Sequence, residues 1–227
     1  MGIFDWHARR TIRPGAGVHT PPPEKGFAGY IYIIKTHFWK IVTANLIFLL
    51  FSIPIVTIPA ALTALTKVMY TLFNKNTCEV FKDFLAEFKS IFLKSLILAA
   101  ISAVVYGLLF FAVYSYLRMD AALGPVGIVL IIIIAVWLWV VQAYVYLQFA
   151  VLDLGIVAII KNALIFSLGR PKNNLLLIAA PGIVLFAMFF FVPYTLPVIV
   201  FIGISISQLT VCAVLDEPLS LVIKPTE

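Results

Sequence analysis

Charge is scarce in this chain. Only 11% of its 227 residues are charged, whereas 63% are hydrophobic, and ordinary soluble domains are about 25% charged and about 45–50% apolar. A water-soluble fold of this length would not have enough polar groups to cover so much apolar surface. The composition therefore excludes an ordinary soluble domain and predicts an integral membrane protein whose main partner is the lipid bilayer.

Residues that bind metals or perform catalysis are also sparse. The chain has two cysteines and three histidines, and none has the spacing of a metal site. It contains no HExxH motif, no nucleotide-binding loop and no Ser or Cys nucleophile beside a base. We therefore expect no enzyme activity, no metal and no cofactor. The net charge of +6 is spread along the edges of apolar runs, which favours a role in membrane orientation over nucleic-acid binding.

Charged residues divide the chain into four long apolar runs. Uncharged stretches of 26, 23, 32 and 43 residues lie between Lys40 and Lys67, Lys94 and Arg118, Asp120 and Asp153, and Lys172 and Asp216. A spanning helix needs about 20 residues. The second and third runs therefore predict one helix each, and the fourth predicts two helices that reverse at VPYTLP, residues 192–197.

The first run has two interpretations, because Pro54 and Pro59 lie inside it. A single kinked helix gives five spans in total. A break over residues 52–59 gives a hairpin and six spans, with the first helix beginning near Tyr30. Five spans place nine Lys and Arg residues on one side and seven on the other, whereas the hairpin places fifteen on one side and only Arg118 on the other. The positive-inside rule favours the hairpin.

The hairpin interpretation makes three further predictions. Both termini are cytoplasmic, and the proline break lies toward the outer face. Thr57 or a neighbouring helix must satisfy the carbonyls that the prolines leave free, because water is absent from the hydrocarbon. Lys67 lies within the second helix, so it must find a partner or extend to the interface.

We therefore predict an all-α membrane protein, a polytopic bundle of about six transmembrane helices, or five if the first run is one helix. Residues 1–26 form a flexible cytoplasmic tail, residues 27–215 a single transmembrane domain, and residues 216–227 a short cytoplasmic tail.

The segment 79–94 is amphipathic. Phe84 and Phe88 follow the 3–4 spacing of an apolar helix face, and Asp83 lies on the opposite, charged face. This pattern predicts an interfacial helix on the cytoplasmic surface, followed by a turn into the next span.

Polar residues inside the apolar runs are candidates for function. Asp153 and Lys161 are eight residues apart, so on a continuous helix they predict an ion pair at the cytoplasmic edge; otherwise they mark a helix end or a transport residue. Trp137, Tyr144 and Gln148 form one stripe, which either lines a sugar path or packs against other helices. The same two interpretations apply to the amides Asn45, Gln142 and Gln208.

Two segments carry a family resemblance. FWKIVTANLIFLLFSIPIVTIPAALTALTKVMYTLFNK, followed by VFKDFLAEFKSIFLKS, resembles the bacterial YesL family of integral membrane proteins over about residues 25–95. The matching features are Asn45, Pro54, Val56–Thr57 and the sequence DFLAEFK that begins at Asp83. Pro59 departs from the family, whose members more often have Gly there. The resemblance implies a multi-pass protein of the bacterial cytoplasmic membrane that accompanies carbohydrate importers of the ABC type.

Three functions are compatible with these features. Our expectation is a non-enzymatic accessory or assembly subunit of a carbohydrate ABC importer, whose subunits would be its partners, with segment 79–94 available for docking. The alternatives are a sugar or small-solute permease that uses the broken hairpin and the third-run helix, and a membrane signalling or sensor-coupling component.

Overall fold

The computed structural model describes residues 27–118, 123–152, 154–190 and 199–223, and within these ranges it contains helices and no strand. The helices are α1 (Phe27–Thr36), α2 (Phe38–Phe51), α3 (Ile58–Lys75), α4 (Val80–Leu117), α5 (Leu123–Val151), α6 (Ile156–Gly169), α7 (Pro171–Phe190) and α8 (Ile204–Ile223), with a 3-10 turn at Ile55–Thr57 and a π-helical turn at Ile199–Gly203. The predicted tail 1–26, residues 224–227, Asp153 and the predicted reversal at 192–197 lie outside the described residues. The predicted domain boundaries remain predictions.

Several helices are suited to a membrane. Three segments, Ile55–Lys75, Val80–Leu117 and Gly124–Val151, are long and apolar enough to cross a bilayer, and the bent pair α1–α2 would add a fourth if it formed one span. Large apolar side chains are exposed along them, as for Trp39 at 77% and Leu108 at 65%, which is unfavourable in water. These features support membrane insertion. The described residues provide three to four candidate spans, so the predicted count of six is not confirmed.

The predicted break in the first run is confirmed. α2 ends at Phe51 and α3 begins at Ile58. Pro54 immediately precedes the 3-10 turn, and Pro59 lies in the first turn of α3, where a missing backbone N–H leaves no helical bond unmade. The hydroxyl of Thr57 donates to the carbonyls of Phe51 and Pro54. Thr57 therefore satisfies carbonyls at the break, as the sequence predicted.

The entry into the hairpin differs from the single helix expected from near Tyr30. The chain bends by 78° between α1 and α2, and His37 lies at the bend. The Tyr30 hydroxyl lies 2.8 Å from that of Thr210 in α8. This contact links α1 to α8. Its two residues are 180 positions apart in sequence, so local sequence patterns do not reveal it.

The amphipathic segment 79–94 is helical from residue 80, as predicted, but no turn follows it. α4 continues without a break for 38 residues, or about 57 Å, which exceeds the roughly 30 Å thickness of the hydrocarbon core. The expected turn is therefore absent. The apolar face of the segment packs on α2, with ring centroids 5.4 Å apart for Phe51–Phe84 and 5.0 Å for Phe51–Phe88.

Asp83 has a capping role in this helix. Its carboxylate accepts a hydrogen bond of 3.0 Å from the backbone N–H of Glu79, the residue that precedes α4. A carboxylate at a helix N-terminus satisfies an otherwise unpaired donor and complements the helix dipole. The negative charge at this position therefore defines where α4 begins.

α4 and α5 approach each other closely at one glycine. A Cβ atom added to Gly127 in α5 would overlap the ring of Tyr116 in α4, whereas one added to Gly107 would meet nothing within 4 Å. Gly127 therefore allows this close packing of the two helices.

The continuous helix on which the predicted Asp153–Lys161 ion pair depends is not formed. α5 ends at Val151 and α6 begins at Ile156, with Gly155 in an extended conformation immediately before α6. The argument that Asp153 and Lys161 share one helix face therefore does not hold. Lys161 is exposed on α6.

Candidate functional site

A cavity of about 210 Å³, with a mainly apolar wall that includes several polar groups, lies between α3, α5 and α8. On α5, the positions 139, 143 and 146 have the spacing of one helix face, and position 142 borders that face. The lining residues are Leu62, Trp139, Gln142, Ala143, Tyr146, Ser207, Gln208 and Val211. None of them is charged, so the cavity combines aromatic, amide and hydroxyl groups in an electrically neutral wall.

Gln142 is held by two hydrogen bonds to α4. The Tyr106 hydroxyl donates to its Oε1 at 3.1 Å, and its Nε2 donates to the Ser102 hydroxyl at 3.2 Å. These bonds anchor the Gln142 amide against α4. Gln142 also borders a second cavity of about 180 Å³ that lies between α4, α5 and α6 and is mainly apolar. Its side chain therefore lies between two cavities.

Gln208 is held on the opposite wall by Thr66. The Thr66 hydroxyl lies 3.2 Å from Gln208 Oε1 and 2.8 Å from the carbonyl of Leu62. The Cys212 thiol donates to the Thr66 carbonyl at 3.7 Å. These contacts join α3 to α8 and place the Gln208 amide at the cavity in a defined orientation.

The chemistry of the cavity favours a neutral, hydroxyl-bearing solute. Because a water molecule occupies about 30 Å³ in the liquid, the volume holds roughly seven waters or one small polyhydroxylated molecule. Trp139 contributes an aromatic ring to the wall, and Gln142, Ser207 and Gln208 contribute hydrogen-bonding groups. An ion would be costly to transfer to such a site because no opposite charge lines it.

The predicted stripe of Trp137, Tyr144 and Gln148 does not line this cavity. Tyr144 is buried, donates to Asn174 Oδ1 at 3.1 Å and stacks with Phe166 at 6.1 Å. Neither the indole N–H of Trp137 nor the amide of Gln148 has a hydrogen-bond partner among the described residues. For Tyr144, the structure shows helix packing. The cavity faces the neighbouring side of α5, and Gln142 and Gln208, which the sequence identified as ambiguous, line it.

Asn45 joins α2 to α8. It is fully buried, and its Oδ1 accepts a hydrogen bond of 2.8 Å from the backbone N–H of Ser205. Ser205 follows the π-helical turn, where the hydrogen-bond register of a helix changes. Asn45 thus stabilises a helix irregularity 160 residues away in sequence.

Lys67 has the partner that its position in an apolar helix requires. Its ammonium group donates to the carbonyl of Ala150 at 2.6 Å. The last four carbonyls of a helix lack helical partners, and a cation near them is favourable. A polar cavity of about 150 Å³ adjoins this bond and is also lined by Glu87, Ser90 and Lys94. The sequence identified the need of Lys67 for a partner, but the pairing depends on the packing of α3 against α5.

The comparisons with known proteins concern the first half of the chain. A family model described as "Protein of unknown function, DUF624" matches residues 41–113. DUF624 includes YesL-like membrane proteins, so the match agrees with the resemblance noted from the sequence. No curated protein and no solved structure matches the chain. The matched range contains Asn45, the hairpin and Lys67, whereas Gln208 and the α5 wall of the cavity between α3, α5 and α8 lie outside it.

Proposed function

We propose that the chain is a non-enzymatic accessory or assembly subunit of the bacterial cytoplasmic membrane that works beside a carbohydrate importer of the ABC type. The family resemblance supports this assignment, and the match to residues 41–113 agrees with that resemblance. The observation that supports it most strongly is the length of α4. The amphipathic part of this helix ends at Lys94 and is about 21 Å long, and the uncharged part follows it. Such a projection provides a surface for a partner beside the membrane.

The exposed side of this projection has a defined composition. Positions 82, 86, 89 and 93 are separated by four, three and four residues, which places them on one helix face. Lys82, Ala86, Lys89 and Leu93 are all exposed, and Leu93 is 72% exposed. We define these four residues as the α4 docking face. Its two lysines favour a partner with an acidic surface, because complementary charge guides association.

Co-purification tests this function. The tagged protein, extracted from its native membrane in mild detergent, should retain identified subunits of a carbohydrate ABC importer. Lys89→Glu on the α4 docking face should reduce their recovery, while Lys35→Glu, the same charge change on exposed α1, should not. Recovery of a well-folded protein without importer subunits contradicts the proposal.

A second candidate function is favoured by the cavity between α3, α5 and α8. A small-solute or sugar permease needs a neutral, hydrogen-bonding site within the bundle, and Trp139, Gln142 and Gln208 provide such groups. On this hypothesis the cavity is the binding site, and hydroxyl groups of the solute bond to the two amides.

Transport by the purified protein tests the permease hypothesis. Reconstituted in liposomes without a partner, the protein should move radiolabelled sugar, and Gln208→Leu should slow that flux more than Val157→Ala, a substitution at an 81% exposed site on α6. Absence of flux in vesicles that contain folded protein excludes the hypothesis. If flux is present, an Asp153→Asn variant with unchanged flux removes Asp153 from the transport mechanism.

A further inference from the structure

Two cavities follow one another along a groove between α4, α5 and α6. The first is the polar cavity of about 150 Å³ beside Lys67, and the second is the mainly apolar cavity of about 180 Å³ beside Gln142. The lining positions of α4 are 87, 90, 91 and 94 in the first cavity and 98, 101, 102, 105 and 106 in the second. All nine lie on one helix face, because three or four residues make about one turn.

α5 and α6 continue the groove in the same way. The lining positions of α5 and the residues just after it are 154, 152, 150 and 149 in the polar cavity and 145, 142, 141 and 138 in the apolar one. On α6, Ile159 lines the first cavity and its neighbour Ile160 lines the second. The groove therefore changes from polar to apolar along its length.

The polar end carries more positive than negative charge. Lys67 and Lys94 both line it, and Glu87 is the one carboxylate among the described lining residues. A lysine ammonium group has three donors, and that of Lys67 uses one of them in its bond of 2.6 Å to the carbonyl of Ala150. Lys94 is exposed beside it. Two ammonium groups from different helices are therefore available to the same anionic ligand.

The apolar end makes little polar demand on an occupant. Its three polar side chains bond to one another, with 3.1 Å between Tyr106 and Gln142 and 3.2 Å between Gln142 and Ser102. The remaining lining residues are leucine, isoleucine and valine. Ile101 of this lining is 44% exposed, so the cavity reaches the outer surface of the bundle. A hydrocarbon chain can enter it from the surrounding lipid.

The two ends meet where α4 changes from charged to uncharged sequence. Lys94 is followed by 23 uncharged residues. Lys94 and Tyr106 are 12 residues apart, or about 18 Å on a helix. One leaflet provides about half of the hydrocarbon core, which is roughly 30 Å thick. The groove therefore has the length of one leaflet, with its charged end at the level of the headgroups.

We propose that the groove between α4, α5 and α6 binds one anionic phospholipid, with the phosphate at Lys67 and Lys94 and one acyl chain in the apolar cavity. Phosphate oxygens accept strong, charge-assisted hydrogen bonds from ammonium groups, and basic pockets between membrane helices bind anionic headgroups. The apolar cavity adds the burial of hydrocarbon, which a free phosphate ion would not provide. This inference does not depend on the proposed function.

Photocrosslinking in detergent tests the lipid site. The purified protein is mixed with a phosphatidylglycerol that carries a diazirine in the middle of one acyl chain and is then irradiated. Peptide mass spectrometry should locate the adducts mainly in residues 98–106 of α4, 138–145 of α5 and 160–164 of α6. Unlabelled phosphatidylglycerol should displace the probe at a lower concentration than phosphatidylcholine does. Inorganic phosphate at the same concentration should not displace it.

Two pairs of variants test the two ends of the groove. Lys94→Gln should weaken phosphatidylglycerol binding about fivefold, the factor that one lysine contributes near an anionic lipid surface. Lys75→Gln, the same change at the exposed end of α3, should not weaken it. Val105→Phe should fill the apolar cavity and lower the adduct yield, whereas Val104→Phe, at the adjacent, 64% exposed position, should not.

Three outcomes would overturn the proposal. Adducts that are spread over every exposed helix and resist displacement by unlabelled lipid mean that the groove holds only bulk lipid or detergent. Equal displacement by the two lipids, with no effect of Lys94→Gln, means that the charged end does not select a headgroup. Displacement by inorganic phosphate means that the polar cavity binds a free anion. If Val105→Phe does not fold, Ile101→Trp provides a second, more exposed position that fills the same cavity.

Discussion

Asn45→Ala should destabilise the bundle by removing a buried link between α2 and α8. The wild-type amide accepts the Ser205 N–H at 2.8 Å and is completely buried. Without it, that N–H has no side-chain acceptor, and a buried unsatisfied donor costs about 1–3 kcal/mol. Measured side-chain hydrogen bonds in membrane proteins average about 0.6 kcal/mol with a maximum of about 1.7, so we expect a loss of about 1–2 kcal/mol.

The chain provides its own probe for this measurement. Cys212 is fully buried and Cys78 is the only other cysteine, so in a Cys78→Ser background a thiol-reactive dye reports unfolding through Cys212. A loss of 1–2 kcal/mol should lower Tm by about 2–8 °C in a protein of this size. Thr43→Ala is the matched control, because the Thr43 hydroxyl bonds only to the local Trp39 carbonyl at an exposed site. Equal melting of Asn45→Ala and Thr43→Ala would refute the reasoning.

Further predictions use the same assay or the native thiol. Thr57→Val should lower Tm, because the carbonyl of Phe51 loses its hydroxyl donor and a lost bond costs about 1 kcal/mol. Ser52→Ala should leave Tm unchanged or raise it, since that hydroxyl is buried with no partner in the described structure. A lower Tm for Ser52→Ala than for Thr57→Val contradicts this account. Gly127→Ala should lower Tm by overpacking, at a cost of about 1–3 kcal/mol, whereas Gly107→Ala should not, and equal effects argue against the close helix contact. Burial raises the pKa of the Cys78 thiol, so maleimide labelling should be slow at neutral pH. The labelling rate of Cys78 should also continue to rise at pH values where the rate of an exposed reference thiol is already constant. If the two rates depend on pH in the same way, Cys78 is not buried.

Much of the hairpin could be predicted because its signals are local. Pro54 removes a backbone donor wherever it lies in a helix, and lysine positions report orientation without reference to tertiary structure. Thr57 was identified as a donor from its place between the prolines. The predicted outer location of the break is different. It follows from counting charges on two sides, and that count does not fix how deep the break lies.

The cavity and the helix ends were less accessible to sequence reasoning. α5 is apolar around its whole circumference, so periodicity does not distinguish the face of Trp137 from that of Trp139. The choice between these faces depends on where α8 packs, which is a contact between residues more than 60 positions apart. The end of α5 at Val151, in contrast, fits the helix end that the sequence offered as one interpretation of Asp153. The 78° bend at His37 likewise involves α8, through the bond between Tyr30 and Thr210.

The central claim is that the uncharged part of α4 lies inside the hydrocarbon, and a lysine placed there measures it most directly. The unfolding free energies of Leu108→Lys and Leu117→Lys, both at exposed positions of α4, should be compared in lipid bicelles, with Cys212 as the reporter. A lysine at the bilayer centre costs about 2.5–3.5 kcal/mol, so Leu108→Lys should be destabilised by about that amount. Leu117→Lys, beside Arg118 at the end of α4, should be close to wild type. Equal tolerance of the two lysines would contradict the account, since it would place Leu108 at a water-accessible surface.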